Sequence, residues 1–169
     1  MLPLTLLVPD IDPNVVFSVL DTFGTVDSAG SRTSTRLTWP GGLFRDHALP
    51  VRWVAAGSPA GQRVVADLVE DVSCWLDPAQ AGAAAQRLQG AGAVVLFDDT
   101  LFELTGGDTR VNVVMALARA LDGVICTPGF LFDARGRVLL DFDGDVHDDA
   151  VWPGAFASVG EVASVDQHA

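Results

Sequence analysis

Apolar positions recur at helical spacing in four stretches of the chain. After Asp12-Pro13, the residues Val16, Val19, Leu20 and Phe23 form one stripe, and Gly24 stands where a left-handed turn would end the helix. A capping side chain followed by proline at the first helical position marks this start and two others, Ser58-Pro59 and Asp77-Pro78. The second helix presents Val64, Val65, Leu68, Val69, Val72, Trp75 and Leu76 on one side, while the third is alanine-rich and runs to about Gln89. Gly106-Gly107-Asp108 precedes a fourth helix from Arg110 to Leu121, with Asp108 as its cap. Val111, Val113 and Met115 widen its stripe of Val114, Leu117, Ala118 and Leu121 almost all the way round. Such breadth predicts a deeply buried helix or one shared with a second subunit.

Short apolar or alternating runs between the helices read as strands. They are Leu4–Val8, Arg32–Trp39, Val51–Ala56, Ala93–Phe97, Val124–Cys126, Phe130–Asp133 and Arg137–Phe142, with Ala134-Arg135-Gly136 as a hairpin turn between the last two. Residues 38–47 read as a long glycine-containing connection. Hairpins in the middle and near the end do not suit a doubly wound sheet. The expected class is α+β, a mixed, largely antiparallel sheet with about four helices on one face, in a single pair of layers. Residues 1–150 are expected to form one domain. Residues 151–169, sparse in large apolar side chains, are expected to pack weakly.

Composition narrows the function. The chain has 169 residues, 22 acidic and ten basic, the basic ones all arginine, for a formal charge of −12. The acids are uneven: residues 1–92 hold nine acids and six arginines, and residues 93–169 hold 13 and four. Arginines this scattered predict no binding of nucleic acid through its phosphates. The acidic excess reads as a solvated surface, or as a face that meets a basic protein or mimics nucleic acid. Without lysine there is no Schiff-base or P-loop chemistry, and without tyrosine no phenolic acid or base. The apolar run at Leu4–Val8 stops at Pro9-Asp10 with no basic flank, so it reads as a strand and not as a secretory signal. No stretch reaches the ~20 apolar residues of a membrane span, and the expected location is cytoplasmic.

The densest candidate for chemistry is the run 141–149, with Asp141, Asp143, Asp145, His147, Asp148 and Asp149 within nine residues. Clustered carboxylates are tolerated where a hard cation such as Ca²⁺ or Mg²⁺ holds them, which makes Asp141, Asp143, Asp145 and His147 the candidate metal ligands. An EF-hand would need glycine where Val146 stands and glutamate where Trp152 stands, so the run reads first as a solvated acidic turn. Asp98-Asp99 ends another strand. If the strands ending at Phe97 and Phe142 were neighbours, the two acidic groups could share a metal. Asp46 adjoins His47, but adjacent residues point apart, so it is poorly placed to orient an imidazole base. Cys74 and Cys126 read as small core hydrophobes, as do Trp39, Trp53 and Trp75. Trp152, between the acidic run that ends in Asp148 and Asp149 and Pro153, reads with those two acids as a surface anchor for a partner.

The order β-α-β-β, Trp75-x-Asp77 before a helix, the Ala93–Phe97 strand and the helix ending Leu121-Asp122-Gly123-Val124-Ile125 resemble small bacterial α+β domains, some found around toxin–immunity loci. The resemblance is one of pattern over residues 1–127, and no function or site residue is carried over from it. The function expected from the residues is a non-enzymatic protein-interaction module, with self-association through Val111–Leu121. The alternative is a divalent-cation-binding protein or metal-dependent enzyme.

Overall fold

The structure is a computed structural model describing residues 4–28, 30–43, 45–75, 78–97, 108–127 and 130–141. The elements in chain order are β1 (Thr5–Val8), α1 (Pro13–Asp21), β2 (Thr25–Asp27), β3 (Ser34–Pro40), β4 (Asp46–Ala55), α2 (Pro59–Trp75), α3 (Pro78–Gln89), β5 (Ala93–Phe97), α4 (Thr109–Leu121), β6 (Val124–Thr127), β7 (Phe130–Phe132) and β8 (Val138–Asp141). Eight strands form one sheet in the order β2-β3-β4-β5-β1-β6-β7-β8. The α+β class and the four helices are as the sequence predicts. The sheet is not mixed, since every neighbouring pair is antiparallel.

Nor do the helices share one face. Alternation along each strand sends Leu6, Val8, Val95, Phe97, Ile125 and Phe132 into a core with Val16 and Leu20 of α1 and Val114 and Leu117 of α4. The intervening Leu7, Val94, Cys126 and Leu131 enter a second core with Leu68 of α2 and Ala84 and Leu88 of α3. The result is three layers, helices on both sides of the sheet. Connectivity explains the division. β1 and β2 run the same way, as do β5 and β6, so α1 and α4 are crossover helices, for which a right-handed connection is the rule. The two crossovers start from antiparallel strands and move in opposite directions along the sheet, which brings both helices to the same face. The α2–α3 pair joins β4 to β5, adjacent antiparallel strands to which the rule does not apply. It is free to cover the other face.

Local chemistry fixes the helix ends. Asp12 caps α1 by accepting from the Asn14 N–H at 2.9 Å, and Asp108 caps α4 by accepting from the Arg110 N–H at 2.8 Å. Gly24 does not make the expected left-handed turn. Helix α1 ends in right-handed geometry at Thr22, whose hydroxyl donates to the Val19 carbonyl at 2.6 Å. Gly24 serves close approach instead, because a Cβ there would collide with the Thr38 carbonyl oxygen of β3.

The expected long connection is a tight hairpin. β3 and β4 stay paired from Ser34↔Arg52 to Pro40↔Asp46, leaving residues 41–45 as the loop. Pro50 is tolerated within β4. Trp53 donates its N–H to Thr33 on the β3 side, so by alternation Pro50's missing N–H faces the β5 side, where the first pair among the described residues is Val51↔Phe97.

Helix α4 resolves the question raised by its apolar breadth. Val111, Val113, Val114, Leu117 and Ala118 are all 0% exposed within a single chain. Asn112 and Ala116 are half-buried, and only Arg119 and Ala120 are open to solvent. Burial against α1 and the sheet therefore accounts for the stripe within a single chain, the first of the two readings that its breadth allowed. Truncating Leu117→Ala should lower stability by about 2–5 kcal/mol. The denaturation midpoint should be independent of protein concentration; a midpoint that rises with concentration would make α4 part of a subunit interface instead.

Candidate functional site

Several ends of elements meet at one rim of the sheet. Leu96, Thr5, Cys126, Leu131 and Leu140 lie in one row across β5, β1, β6, β7 and β8, so Phe97 and Asp141 stand one residue beyond it on the same side. The β3–β4 hairpin loop and the N-terminus of α4 lie at this rim too. The strands β5 and β8 are nonetheless not neighbours. Three strands separate them, which sets their ends about 19 Å apart at ~4.8 Å per strand. The condition under which Asp98-Asp99 and the 141–149 run could share a metal is therefore not met by the strands that lead into them.

Of the candidate metal ligands, Asp141 is placed as the last residue of β8, paired with Phe130. Asp143, Asp145 and His147 lie outside the described residues, as do the proposed partner contacts Asp148, Asp149 and Trp152, the Asp98-Asp99 pair, Gly106-Gly107 and the 151–169 tail. Among the described residues no group of three or more histidines, cysteines or acids is close enough to hold a metal ion.

What the structure does bring together at the rim is different. His47 pairs with Trp39 across the hairpin, and the two rings stack with centroids 5.5 Å apart and planes 28° from parallel. Gly41 makes room for the stack, since a Cβ there would collide with the imidazole, and its N–H donates to the Arg45 carbonyl at 2.9 Å to close the loop. Beyond the stack, Leu43 at the tip is 91% exposed. His47, Leu49, Val51 and Trp53 alternate onto the α1/α4 side, and Trp53 meets Phe17 of α1 edge to face at 5.9 Å. That side also carries the start of α4. There Asp108 takes the Arg110 guanidinium in a fork, Nη2 to Oδ2 at 2.7 Å and Nε to Oδ1 at 3.1 Å.

This arrangement holds the Asp108 carboxyl below its ordinary 3.8. Hydrogen bonds from the Arg110 side chain are the main cause; partial burial opposes them, and the Arg110 N–H and the charges of Arg110 and His47 assist. At the far end of the sheet Asp133 is depressed as well. Burial pushes it upward, but hydrogen bonds from the Arg137 N–H and guanidinium and the Arg135 N–H outweigh that effect. Burial alone pushes the Cys126 thiol up to about 12, so it is no thiolate at neutral pH and stays a core hydrophobe. Cys74 corrects the expectation. It is exposed, because six residues beyond Leu68 is about 240° round the helix and off the buried stripe. Trp53 is core, at 3% exposure, whereas Trp39 is half-buried at the rim.

At the opposite rim a depression of about 590 Å³ lies between α2 and the strand ends, lined by Ala56, Gln62, Val65, Val69 and Glu70 among others. Glu70 is the one ionisable side chain in its described lining, so it pairs no acid with a base. No family model matches the chain, and no curated protein or solved structure matches it either. Among the described residues, no helix is long and apolar enough to cross a membrane.

The two depressed carboxylates set an acid-stability signature. Their stabilisation is present above the ordinary carboxylate range and is lost as pH falls through the lower folded values. Asp108→Asn keeps a competent helix cap but removes the charge. It should flatten the loss of stability below about pH 4 and leave the slope between about pH 5 and 8 unchanged. Urea unfolding across that range reads this directly, and a slope equal to that of the unmodified protein below about pH 4 would remove Asp108 as a contributor.

Proposed function

We propose that the chain is a protein-binding module which engages its partner through the tip of the β3–β4 hairpin. The observation that carries this reading is Leu43, the large hydrophobic side chain left 91% exposed among the described residues. An isolated exposed leucine is ordinary on a protein surface. This one stands at the end of a projecting hairpin whose conformation is held by the Trp39–His47 stack and the Gly41–Arg45 backbone bond. A pre-ordered apolar tip loses little conformational freedom on binding, which favours its use as an anchor.

The acidic balance of the chain adds a second term. A net charge of −12 draws a basic partner in over long range and repels acidic ones, which raises the association rate more than the final affinity. The partner that suits both features is a basic protein with an apolar socket for Leu43.

Replacing Leu43→Glu puts a charge where the socket is apolar and should cost about 2 kcal/mol or more of binding, roughly 30-fold in affinity. It should leave the melting temperature unchanged, because the side chain makes no core contact. The check is a quantitative affinity capture comparing the unmodified chain, Leu43→Glu and the exposed control Arg87→Glu. A partner retained by the first and third and lost by the second supports the reading. If every captured protein is retained equally by all three, the hairpin tip is not the binding site.

A further inference from the structure

Strand β2 is the last strand of the sheet, and β3 is its one neighbour among the described residues. The register fixes which of its backbone groups are used. Trp53 donates its N–H to Thr33, so alternation turns the backbone groups of Thr35 and Leu37 towards β4 and those of Arg36 and Thr38 towards β2. Thr25 and Asp27, opposite Thr38 and Arg36, therefore bond inward. Val26 between them directs both its N–H and its C=O out of the sheet, and no described residue bonds to either group.

A cleft of about 360 Å³ lies beside this bare edge, lined by Phe17, Ser18 and Asp21 of α1 and by Val26 and Ser28. Val26 packs against the α1/α4 core, so a residue paired with it from outside points its side chain to the same face, into the cleft. One side of the cleft is apolar, from Val26 and from Phe17, which Trp53 holds edge to face. The other carries two serine hydroxyls and the exposed Asp21, the one charge in the lining. Asp21 is also the last residue of α1. Its carboxylate adds there to the negative end of the helix, and no basic residue stands in that turn to offset it. The neighbouring arginines are engaged or distant. Arg36 lies on the opposite face of the sheet, directly across from Asp27, and those two charges offset each other. Arg110 of α4 is held by Asp108. Arg32 follows the Ser28–Ser31 turn, ~13 Å before Arg36 at ~3.3 Å per residue, beyond the ~8 Å screening length of physiological salt.

We infer that a short strand of a basic protein adds to β2 along this edge, antiparallel like every described pair of the sheet, with a basic side chain opposite Val26 filling the cleft. Its backbone exchanges two hydrogen bonds with Val26. The aliphatic stem of the basic side chain lies along Phe17 and Val26, and its cationic head reaches Asp21. The three residues of β2 limit the contact to a segment of about five residues, a recognition strand and not a globular interface. A chain of formal charge −12 attracts such a segment, whereas an acidic strand is repelled both by Asp21 and by the protein as a whole.

This edge is separate from the hairpin tip, and Leu43→Glu should leave the binding intact. The test is fluorescence anisotropy with the full chain and labelled peptides of about eight residues in which arginine alternates with threonine. In antiparallel pairing the N–H groups of residues on the cleft face point to β2, and those of the intervening residues point to solvent. N-methylation of the arginines should therefore weaken binding about tenfold or more, and N-methylation of the threonines should leave it within about twofold. These arms keep the charge of the peptide and need no variant to fold. Replacing the arginines of the peptide by glutamate should abolish saturable binding. Asp21→Asn should weaken the arginine peptide about tenfold, and Asp67→Asn, exposed on α2, should not. Absence of saturable binding, a loss from threonine methylation as large as that from arginine methylation, or unchanged affinity in Asp21→Asn would each overturn the inference. So would a concentration-dependent mass in light scattering that the arginine peptide abolishes, since the occupant would then be a second copy of the chain.

Discussion

Strand β1 has neither a free edge nor a free face, and the rest of the molecule is arranged around that fact. All four of its residues are buried, and both edges are paired, one with β5 and the other with β6. Leu6 and Val8 reach the core under α1 and α4, while Leu7 reaches the core under α2 and α3. Each such side chain contributes about 1.5–3 kcal/mol by leaving water. Burial on both sides is what obliges the sheet to carry helices on both faces. The handedness of the two crossovers then decides which helices go where.

With the middle of the sheet covered on both sides, the surfaces left for recognition lie at its margins. The β3–β4 hairpin projects past the rim because its ladder continues beyond the last described pair between β4 and β5. The same two strands extend past the reach of α2 and α3, so their polar side remains open near Arg36 and Arg52. One long hairpin therefore supplies both an apolar tip and an open polar flank. Rigidity comes from different places in each: ring stacking and backbone bonding at the tip, and the antiparallel ladder along the flank.

Local signals were the readable part of the sequence. Asp12-Pro13 and Asp108 mark helix starts because a cap acts within three residues. The three residues of β2 are too few to show a period, and the pairing half of β4 before Val51 contains Pro50, which argues against a strand until the register reveals that no bond to β3 is lost. The second helical layer was hidden for a related reason. Alternation in Leu6-Leu7-Val8 looks like a continuous apolar run, which signals two-sided burial without saying what lies on each side. The rim was hidden as well, because it depends on which strand ends share an edge. A signal for the hairpin did exist: Gly41-Gly42 stands between the flanks Leu37-x-Trp39 and His47-x-Leu49, an alternation on either side of a turn.

The order of synthesis sets a delay on the central strand. β1 is made before every other described element, yet its partners come late: Thr5 pairs with Leu96 on one side and Cys126 on the other. At ~5–20 residues per second, a ribosome takes roughly 6–24 s to go from one end of the β1–β6 pairing to the other. Meanwhile β2, β3 and β4 can form their meander from neighbouring sequence, but β1 has no strand to pair with. A short apolar segment waiting with bare edges is prone to pair with another chain. The strand that unites the finished fold is thus the one most in need of protection while it is being made.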